Sequence, residues 1–377
     1  MTARALATVV VVKEFPWPTR TGGHNRAAGI LSLCGTANMT TIAAPPNRWG
    51  EDQQRPYGTT ALRVDRPKLS LVVTRLVLTG SLRSARFLDI RGFSEAFWLA
   101  LEATDFVILD ELASASIPLI ERAHALGKPV VYSAHNVESA IRYPYPGVPR
   151  PLRRSLWRRD VRVLEQCEAT VAAAVDGLIA VSSADAERFA AWTSAPLLVI
   201  PNCIDRPPVL PAWSGRSGVV IAGSFGWGPN REGLQWFLSH VAPSLVHRLP
   251  VTVVSNHLHR ADTRSMGRLG VSYLEDVNDI GAVLLQHRVS VVPVWSGGGS
   301  RVRIPESLAH GLHVVSTSKG AEGQPASVLQ SVHVLDDSEA MLNTIVELHG
   351  SAEPAAACLP TWAEFAGPMQ RFIESLQ

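Results

Sequence analysis

Cysteine is scarce in this chain. Its cysteines lie far apart and form neither a C-x-x-C pair nor a His/Cys cluster at zinc spacing; they are Cys34, Cys167, Cys203 and Cys358. A disulfide framework and a structural metal site are therefore not expected. Thiols spread singly in this way are typical of a reducing compartment, so we expect a cytoplasmic protein.

Long hydrophobic runs are also missing. No stretch reaches the ~18 consecutive apolar residues that indicate a transmembrane helix, and the apolar run at residues 7–12 is too short for a secretory signal. The net charge is only +2, with few lysines and many arginines. The chain thus lacks the strongly basic balance of a nucleic-acid-binding protein, and no nucleic acid is expected as a partner.

What the sequence does have is length and apolar content. At roughly 150 residues per domain, a chain of 377 residues predicts two or three domains. Hydrophobic residues make up 46% and charged residues 18% of the chain, which excludes a disordered or fibrous protein.

Short β-branched runs bounded by turn residues recur along both halves, with room for a helix between successive runs. This alternation predicts βαβ units around parallel sheets. In the first half we predict strands at residues 7–12, 40–44, 106–109, 129–133, 177–181 and 197–200, and helices at residues 116–126 and 183–192, with serines placed to cap their first turns. In the second half we predict strands at residues 219–222, 251–254, 289–294 and 312–316, and helices at residues 231–247, 280–287 and 302–310.

The densest group of proline and glycine residues between the two halves lies at residues 207–218, which we interpret as a linker. The expected fold is therefore α/β, with two doubly wound Rossmann-like domains, residues 1–205 and 206–360. We expect them to face each other across a cleft at the carboxyl ends of their strands, where ligands of such sheets bind. Residues 361–377 carry apolar side chains at helical spacing and are expected to pack back on the first domain.

Three consecutive glycines, Gly297, Gly298 and Gly299, follow a predicted strand and precede a predicted helix. Their backbone can approach a ligand closely. The free amides of the helix start, with Arg301 and Arg303 beside them, favour a phosphate or diphosphate. The alternative is a tight strand-to-helix turn with solvated arginines.

A second glycine loop, at Gly22 and Gly23, follows the first predicted strand and opens a helix. It lacks the G-x-G-x-x-G spacing of dinucleotide sites, so NAD-dependent chemistry is disfavoured, and a plain βα turn is the alternative. His135 comes just after the predicted strand at residues 129–133, at the carboxyl edge of the first sheet. It is either a site residue or a structural histidine that caps the loop.

The run Gly299-Ser-Arg-Val-Arg-Ile-Pro-Glu-Ser-Leu-Ala-His-Gly311, followed by residues 314–317 and 320–323, resembles the donor-site segment of the GT-B glycosyltransferases of family 4. The resemblance extends over most of the chain and includes residues 132–138, 223–230 and the Pro-Asn-Cys-Ile-Asp run at 201–205. It implies transfer of a sugar from a nucleotide-sugar donor with retention of anomeric configuration, without a bound metal or other cofactor. The N-terminal domain would bind the acceptor and the C-terminal domain the donor.

The resemblance also implies roles for single residues. Glu306 matches the second carboxylate of the family's E-x7-E pair and would contact ribose or sugar hydroxyls, while Gly298 stands in place of the first. Arg303 matches a diphosphate-binding lysine. Ser224 stands where the family often has an arginine, a loss that Arg231 would offset. In full, the expected catalytic residues are His135 and Arg303, the donor-binding residues Gly22, Gly23, Ser224, Arg231, Gly298, Gly299, Ser300, Arg301 and Glu306, and the acceptor-binding residues Asn25, Arg26 and Asn136.

The segment at residues 150–162 is basic, with Leu152, Leu156 and Trp157 between its arginines. One interpretation is a peripheral contact with an anionic membrane at its inner face, where a lipid-linked acceptor is found. The other is a solvated helix face. A sugar or a small molecule is the alternative acceptor.

Two other functions use a similar architecture. A nucleotide-sugar epimerase would turn over the donor without an acceptor. A non-catalytic nucleotide-sugar-binding protein would bind the donor and form no product.

Overall fold

A computed structural model describes residues 6–17, 19, 21–34, 40–45, 59–79, 81, 84, 87–141, 150–205 and 207–376, and only the backbone of residues 150–153. The chain divides into two units. The first consists of Met1–Ile200 with Trp362–Gln377, and the second of Pro201–Thr361. The assignment of the acceptor to one half and of the donor to the other stays a prediction.

The first unit is built on a parallel sheet. Its strands are β1 (Thr8–Val12), β2 (Thr40–Ala44), β3 (Thr59–Arg63), β4 (Phe106–Asp110), β5 (Val130–Ser133), β6 (Gly177–Ala180) and β7 (Leu197–Val199). They lie in the order β3-β2-β1-β4-β5-β6-β7. The central strands β1, β4, β5 and β6 are buried along their whole length, as expected for aliphatic runs covered by helices on both faces.

In the described part of the chain, α-helices connect these strands. They are α1 (Gly22–Leu33), α2 (Leu69–Thr79), α3 (Glu95–Ala103), α4 (Ile117–Ala125), α5 (Arg150–Ala174) and α6 (Ser183–Ala190). Most of the core lies between the sheet and the helices α3 to α6, around large buried side chains such as Phe97, Tyr132 and Phe189.

The second unit repeats this plan with a six-stranded parallel sheet. Its strands are β8 (Val219–Ala222), β9 (Val251–Ser255), β10 (Ser272–Glu275), β11 (Val289–Val292), β12 (His313–Ser316) and β13 (Val332–Val334), in the order β10-β9-β8-β11-β12-β13. Its helices are α7 (Gly228–His240), α8 (Ala242–Leu245), α9 (Arg260–Leu269), α10 (Ile280–Leu284), α11 (Arg303–Ala309), α12 (Ser318–Ala321), α13 (Ala326–Leu329) and α14 (Ser338–His349). The two doubly wound parallel sheets confirm the predicted fold class.

The last helix, α15 (Trp362–Glu374), packs against α1 of the first unit. The indole ring of Trp362 occupies the space beside Gly29, where an added Cβ would lie 2.0 Å from the ring. Phe372 packs in the same way against Gly177, at the start of β6. Glycine at these two places allows the closing helix to lie directly on the first unit.

Three local predictions are wrong. The helix predicted over residues 231–247 is interrupted at Val241, because Pro243 lacks an amide proton and lies in the first turn of α8. Ser116 precedes α4 but its side chain makes no capping hydrogen bond, and α6 is capped by Ser182 instead of Ser183. The hydroxyl of Ser182 accepts from the amide of Asp185.

The segment at residues 207–218 is also not a free linker. Trp213 donates from Nε1 to the carbonyl of Ser351 at 2.9 Å, and Arg216 donates to the carbonyl of His310 at 2.6 Å. The guanidinium of Arg288 lies 5.1 Å from the centre of the Trp213 ring. These contacts fix the end of the segment on the second unit.

No helix among the described residues combines the length and the apolar character needed to cross a bilayer.

Candidate functional site

In the first unit, the carboxyl ends of three strands come to one level. Val12 of β1 is in register with Asp110 of β4, and Asp110 is in register with Ser133 of β5. The side chains that follow these strands therefore gather at one edge of the sheet, which is where open α/β sheets bind ligands.

His135 lies at this edge, and a buried carboxylate holds its ring. Nε2 of His135 lies 2.8 Å from Oδ2 of Asp110, and the two side chains are only 11% and 2% exposed. A carboxylate accepts hydrogen bonds and does not donate them, so Nε2 is the nitrogen that donates to Asp110, and Nδ1 is the ring nitrogen left for another partner. The ring can thus receive a hydrogen bond or a proton at Nδ1.

The free nitrogen of His135 faces the first glycine loop. An added Cβ at Gly23 would lie 3.8 Å from Nδ1 of His135. Thr21 caps α1, since its hydroxyl accepts from the amide of His24 at 3.1 Å. The structure therefore brings together Gly22, Gly23 and His135, three of the residues expected from the sequence.

The three expected acceptor-binding residues have different surroundings. Asn25 is half-buried, and its amide donates to the carbonyl of Thr21. Asn136 follows His135, and its Oδ1 is buried with no hydrogen-bond partner among the described residues. Arg26 is buried and donates from Nη1 to the carbonyl of Ile200 at 2.9 Å, which ties α1 to the end of β7. Their contact with an acceptor stays a prediction.

Sequence reasoning missed several charged residues at the same edge. Lys13 pairs with Glu111 at 2.9 Å, and Glu14 lies 3.1 Å from Nε2 of the buried His24. The hydrogen bond from His24 is the main cause that holds the pKa of Glu14 below its usual value. The sequence holds a signal for these residues. Lys13 and Glu14 follow the buried strand β1, and Asp110 and Glu111 lie at the end of the buried strand β4.

In the second unit, the glycine-rich loop lies between β11 and α11. Gly297 and Gly299 have positive φ values of 103° and 72°, which side chains rarely adopt. The helix α11 then starts at Arg303 and ends at Ala309. Gly311 follows with a φ of 76°, which is typical of the glycine just past a helix end. Glycine at positions 297 and 299 is thus needed for the shape of this loop.

Arg301 holds the loop in this shape. It donates from Nη1 to the carbonyl of Gly298 at 2.9 Å and from Nη2 to the carbonyl of Ser296 at 3.3 Å. Its guanidinium also lies 5.3 Å from the centre of the Trp227 ring, within cation–π range. The described contacts of Arg301 are therefore with its own loop and with Trp227, and its donor contact stays a prediction.

Arg303 and Glu306 form an ion pair on the first turn of α11. Nη1 of Arg303 lies 2.7 Å from Oε2 of Glu306, and both side chains are partly buried. Among the described residues, nothing hydrogen-bonds the buried Nε of Arg303 or the buried hydroxyl of Ser300. The two expected donor-site residues Arg303 and Glu306 are in contact, and two buried polar atoms beside them have no hydrogen-bond partner among the described residues.

Two side chains from distant segments support this loop. Asn202, from the Pro-Asn-Cys-Ile-Asp run, donates to the carbonyl of Ser300 at 2.9 Å. Gln324 donates to the carbonyl of Arg301, also at 2.9 Å. The motifs that look separate in the sequence therefore meet at the same loop.

The two other expected donor residues lie near β8. Ser224 follows this strand, and its carbonyl accepts from the side-chain amide of Asn230 at 3.3 Å. Arg231 of α7 donates from Nε to Oδ2 of Asp262 at 2.7 Å, and Gln235 donates to the other oxygen at 2.9 Å. The guanidinium of Arg231 is thus paired with a buried carboxylate, and its role in offsetting Ser224 stays a prediction.

No group of three or more His, Cys, Asp or Glu side chains is arranged to hold a metal ion in the part of the chain that the structure describes.

Two family models match the chain. The model described as Glycosyl transferases group 1 matches residues 216–351, and the model described as Glycosyltransferase Family 4 matches residues 49–206. Together they cover most of both units. No curated protein is detectably similar to this chain in sequence.

Solved structures share the fold over nearly the whole chain. Sucrose-phosphate synthase from Thermosynechococcus elongatus has a TM-score of 0.63 at 13% identity, with 98% of this chain and 94% of that chain covered. The Anabaena protein HepE, in complex with UDP and glucose, has a TM-score of 0.62 at 12% identity, with 98% and 97% covered. The UDP-forming trehalose-phosphate synthase from Burkholderia vietnamiensis has a TM-score of 0.59 at 12% identity, with 98% and 95% covered.

Proposed function

Because this chain belongs to the group 1 glycosyltransferases, enzymes that transfer sugars, we propose that its donor is a nucleotide-activated sugar. The sugar passes to an acceptor with retention at the anomeric carbon, and no metal ion or other cofactor takes part. The neighbour HepE supports this choice of donor, since that protein is in complex with UDP and glucose. A uridine diphosphate sugar is therefore the first donor to test.

One observation carries the proposal: Arg303 and Glu306 lie together at the start of α11, beside buried polar atoms that have no hydrogen-bond partner among the described residues. Cleavage of the anomeric bond leaves a nucleoside diphosphate on which negative charge grows. Without a metal, cationic side chains and oriented amides must stabilise this charge. Arg303 supplies the cation, and Glu306 accepts hydrogen bonds from hydroxyls of the ribose or the sugar.

His135 acts on the acceptor side of the reaction. Its Nε2 is held by Asp110, so Nδ1 is the atom left to accept a hydrogen bond or a proton. Gly23 faces this nitrogen, since an added Cβ there would lie 3.8 Å from Nδ1. We assign to His135 the positioning of the acceptor hydroxyl, with Asn136 and Asn25 as further contacts.

The acceptor is a sugar, a lipid-linked molecule or a small molecule, and no nucleic acid is a partner. We further propose that the enzyme acts in the cytoplasm and touches the inner face of the membrane through residues 150–162. The exposed side chains of Arg154, Arg158, Arg159 and Arg162 support this contact. The side chains at residues 150–153, Leu152 among them, lie outside the described residues.

The test is a donor screen followed by a product assay. Thermal unfolding is measured with UDP-, GDP-, dTDP- and ADP-sugars in the presence of EDTA, and the sugar that raises the melting temperature is then incubated with candidate acceptors. We expect a glycosylated product whose anomeric configuration, read by NMR, equals that of the donor. Conversion of the donor without any acceptor would indicate an epimerase instead, and inversion in the product would contradict retention.

A further inference from the structure

The helix α2 is apolar, and none of its residues is buried. Its exposed aliphatic side chains are Leu69 at 78%, Val73 at 50%, Leu76 at 36%, Val77 at 74% and Leu78 at 74%. Monomeric proteins rarely keep a contiguous apolar surface of this kind in water. The helix therefore lacks a partner for its apolar side within the described part of the chain.

Four of the five exposed aliphatic residues form one stripe, and Leu78 lies outside it. Leu69, Val73, Leu76 and Val77 follow the spacing i, i+4, i+7 and i+8, which places them on the same side of an α-helix. Ser70 and Thr74 border this stripe. The partly buried side of the helix also carries Leu71 and Val72, so α2 is apolar on both sides and leaves one aliphatic stripe exposed.

Polar contacts on the other side fix this orientation. Arg75 donates to the carbonyl of Phe87 at 2.7 Å and to Oδ2 of Asp89 at 2.6 Å. At the end of the helix, Arg159 of α5 donates from Nε to the carbonyl of Thr79 at 2.8 Å. These bonds hold α2 on the first unit through groups outside the exposed stripe.

The contact with Arg159 also places α5, which carries exposed arginines, at the end of α2. Four arginines of α5 are exposed near this point, namely Arg154, Arg158, Arg159 and Arg162. Asp160 is the sole acidic residue of the sequence segment 150–162, and it is buried against the hydroxyl of Ser81. Before α2, Arg66 and Lys68 are exposed as well.

We propose that the aliphatic stripe of α2 and the exposed arginines of α5 together form a surface that docks on an anionic lipid membrane. This inference deepens the membrane contact proposed for residues 150–162, and it identifies α2 as the part that enters the lipid. An amphipathic helix on a bilayer places its apolar side at the boundary of the acyl chains, while neighbouring arginines bind anionic headgroups. The order of apolar and cationic groups on this surface fits that layering.

Co-sedimentation with vesicles tests the proposal. The full chain is mixed at low salt with vesicles of phosphatidylcholine alone or of phosphatidylcholine with phosphatidylglycerol, without donor or acceptor. We expect binding to the anionic vesicles that weakens with added salt. The double variant with Val73→Asp and Val77→Asp should lose about tenfold or more of this binding, because two charges would have to enter the acyl boundary.

Val209→Asp is the matched control, because Val209 is a 94% exposed valine in the second unit. It should bind vesicles as the unchanged protein does. Both variants should keep the melting temperature, since all three valines are exposed. Arg158→Glu with Arg162→Glu should also weaken binding to the anionic vesicles and leave the small binding to phosphatidylcholine unchanged.

Three results would overturn the proposal. The first is that the protein does not sediment with anionic vesicles at low salt. The second is that the double aspartate variant binds these vesicles as well as Val209→Asp does. The third is a dimer of the unchanged protein in analytical ultracentrifugation that the aspartate variant converts to a monomer, which would identify a second copy as the partner of α2. Since no sugar transfer is measured, a failure here leaves the donor assay to test the proposed activity separately.

Discussion

His135 and Asp110 form a hydrogen-bonded pair across neighbouring strand ends, with Nε2 and Oδ2 2.8 Å apart. The two residues are 25 positions apart in the sequence, and only the parallel pairing of β4 with β5 brings them together. The pair fixes which ring nitrogen of His135 is free. Asp110 is a positioning residue, since it acts through the histidine.

We predict that His135→Gln lowers the turnover number for sugar transfer by about 100-fold or more, since a glutamine cannot take a proton. The donor should still bind. The matched control is His124→Gln, because His124 also pairs with an aspartate, Asp176, at 2.9 Å but on an exposed surface. Equal turnover numbers for the two variants would remove His135 from the reaction.

Asp110→Asn tests the positioning role by its kinetics. An asparagine can present its amide nitrogen to the ring and so change which nitrogen of His135 carries the proton. We expect a lower kcat, an altered dependence of kcat on pH, and little change in the KM for the donor. A variant with a lower melting temperature and an unchanged pH profile would indicate a purely structural aspartate.

Gly29→Ala should destabilise the first unit. The new Cβ would lie 2.0 Å from the ring of Trp362, so α15 or α1 must move, at a cost of about 1 to 3 kcal/mol. Gly267→Ala is the control, because nothing lies within 4 Å of a Cβ at that exposed helical position. That substitution should stabilise the second unit by about 0.5 to 1 kcal/mol, and urea unfolding measures both changes. Equal stabilities for the two variants would contradict the packing of α15 on α1.

Asp89 gives a prediction for pH. Hydrogen bonds from Arg91, with the charge of Arg75, hold the pKa of this carboxyl below its usual value. A lowered pKa in the folded state stabilises the protein above the usual pKa of about 4, and this stabilisation is lost as the pH falls through the folded value. Asp89→Asn should therefore be less stable than the unchanged protein at pH 7, and the gap should narrow in acid. Urea unfolding measures this difference in the free energy of unfolding between the two proteins. A difference that stays constant down to pH 3 would contradict the prediction.

Much of the fold could be predicted from the sequence, because buried parallel strands leave short aliphatic runs. The strands β2 and β8 match their predicted bounds, and β1, β4 and β5 are shifted by a residue at one end. The sequence prediction missed β3, β10 and β13, and β13 like β3 contains no buried residue. The strand β10 is exposed along its length and β3 contains no buried residue, so neither shows a hydrophobic run.

The site could be predicted only in part. The glycine loops, His135, Arg303 and Glu306 stand out as residue types at strand ends or helix starts. What the sequence does not show is where a side chain points. Arg301 and Arg303 look alike in the sequence, yet Arg301 binds the carbonyls of its own loop while Arg303 pairs with Glu306. Similarly, the burial of Arg26 depends on contacts with Ile200, far away along the chain.

Arg303→Ala should keep the fold and lose most of the activity. Removing one charge-assisted contact to the leaving group costs about 2 to 4 kcal/mol in the transition state, which lowers turnover by about 30- to 900-fold. Arg303→Lys should restore a large part of this loss, because the resembling family has a lysine at this position. A turnover number of Arg303→Ala near that of the unchanged protein would remove Arg303 from the donor site.

We propose that Arg303 binds the diphosphate of the donor and that this binding needs no metal ion. Titration calorimetry of the nucleoside diphosphate in EDTA tests it most directly, with Arg303→Ala compared with Arg268→Ala, an exposed arginine in the last turn of α9. We predict that the unchanged protein and Arg268→Ala bind the nucleoside diphosphate with the same affinity. Arg303→Ala should bind it at least about tenfold more weakly. Binding that requires added magnesium, or equal affinities for all three proteins, would contradict the account.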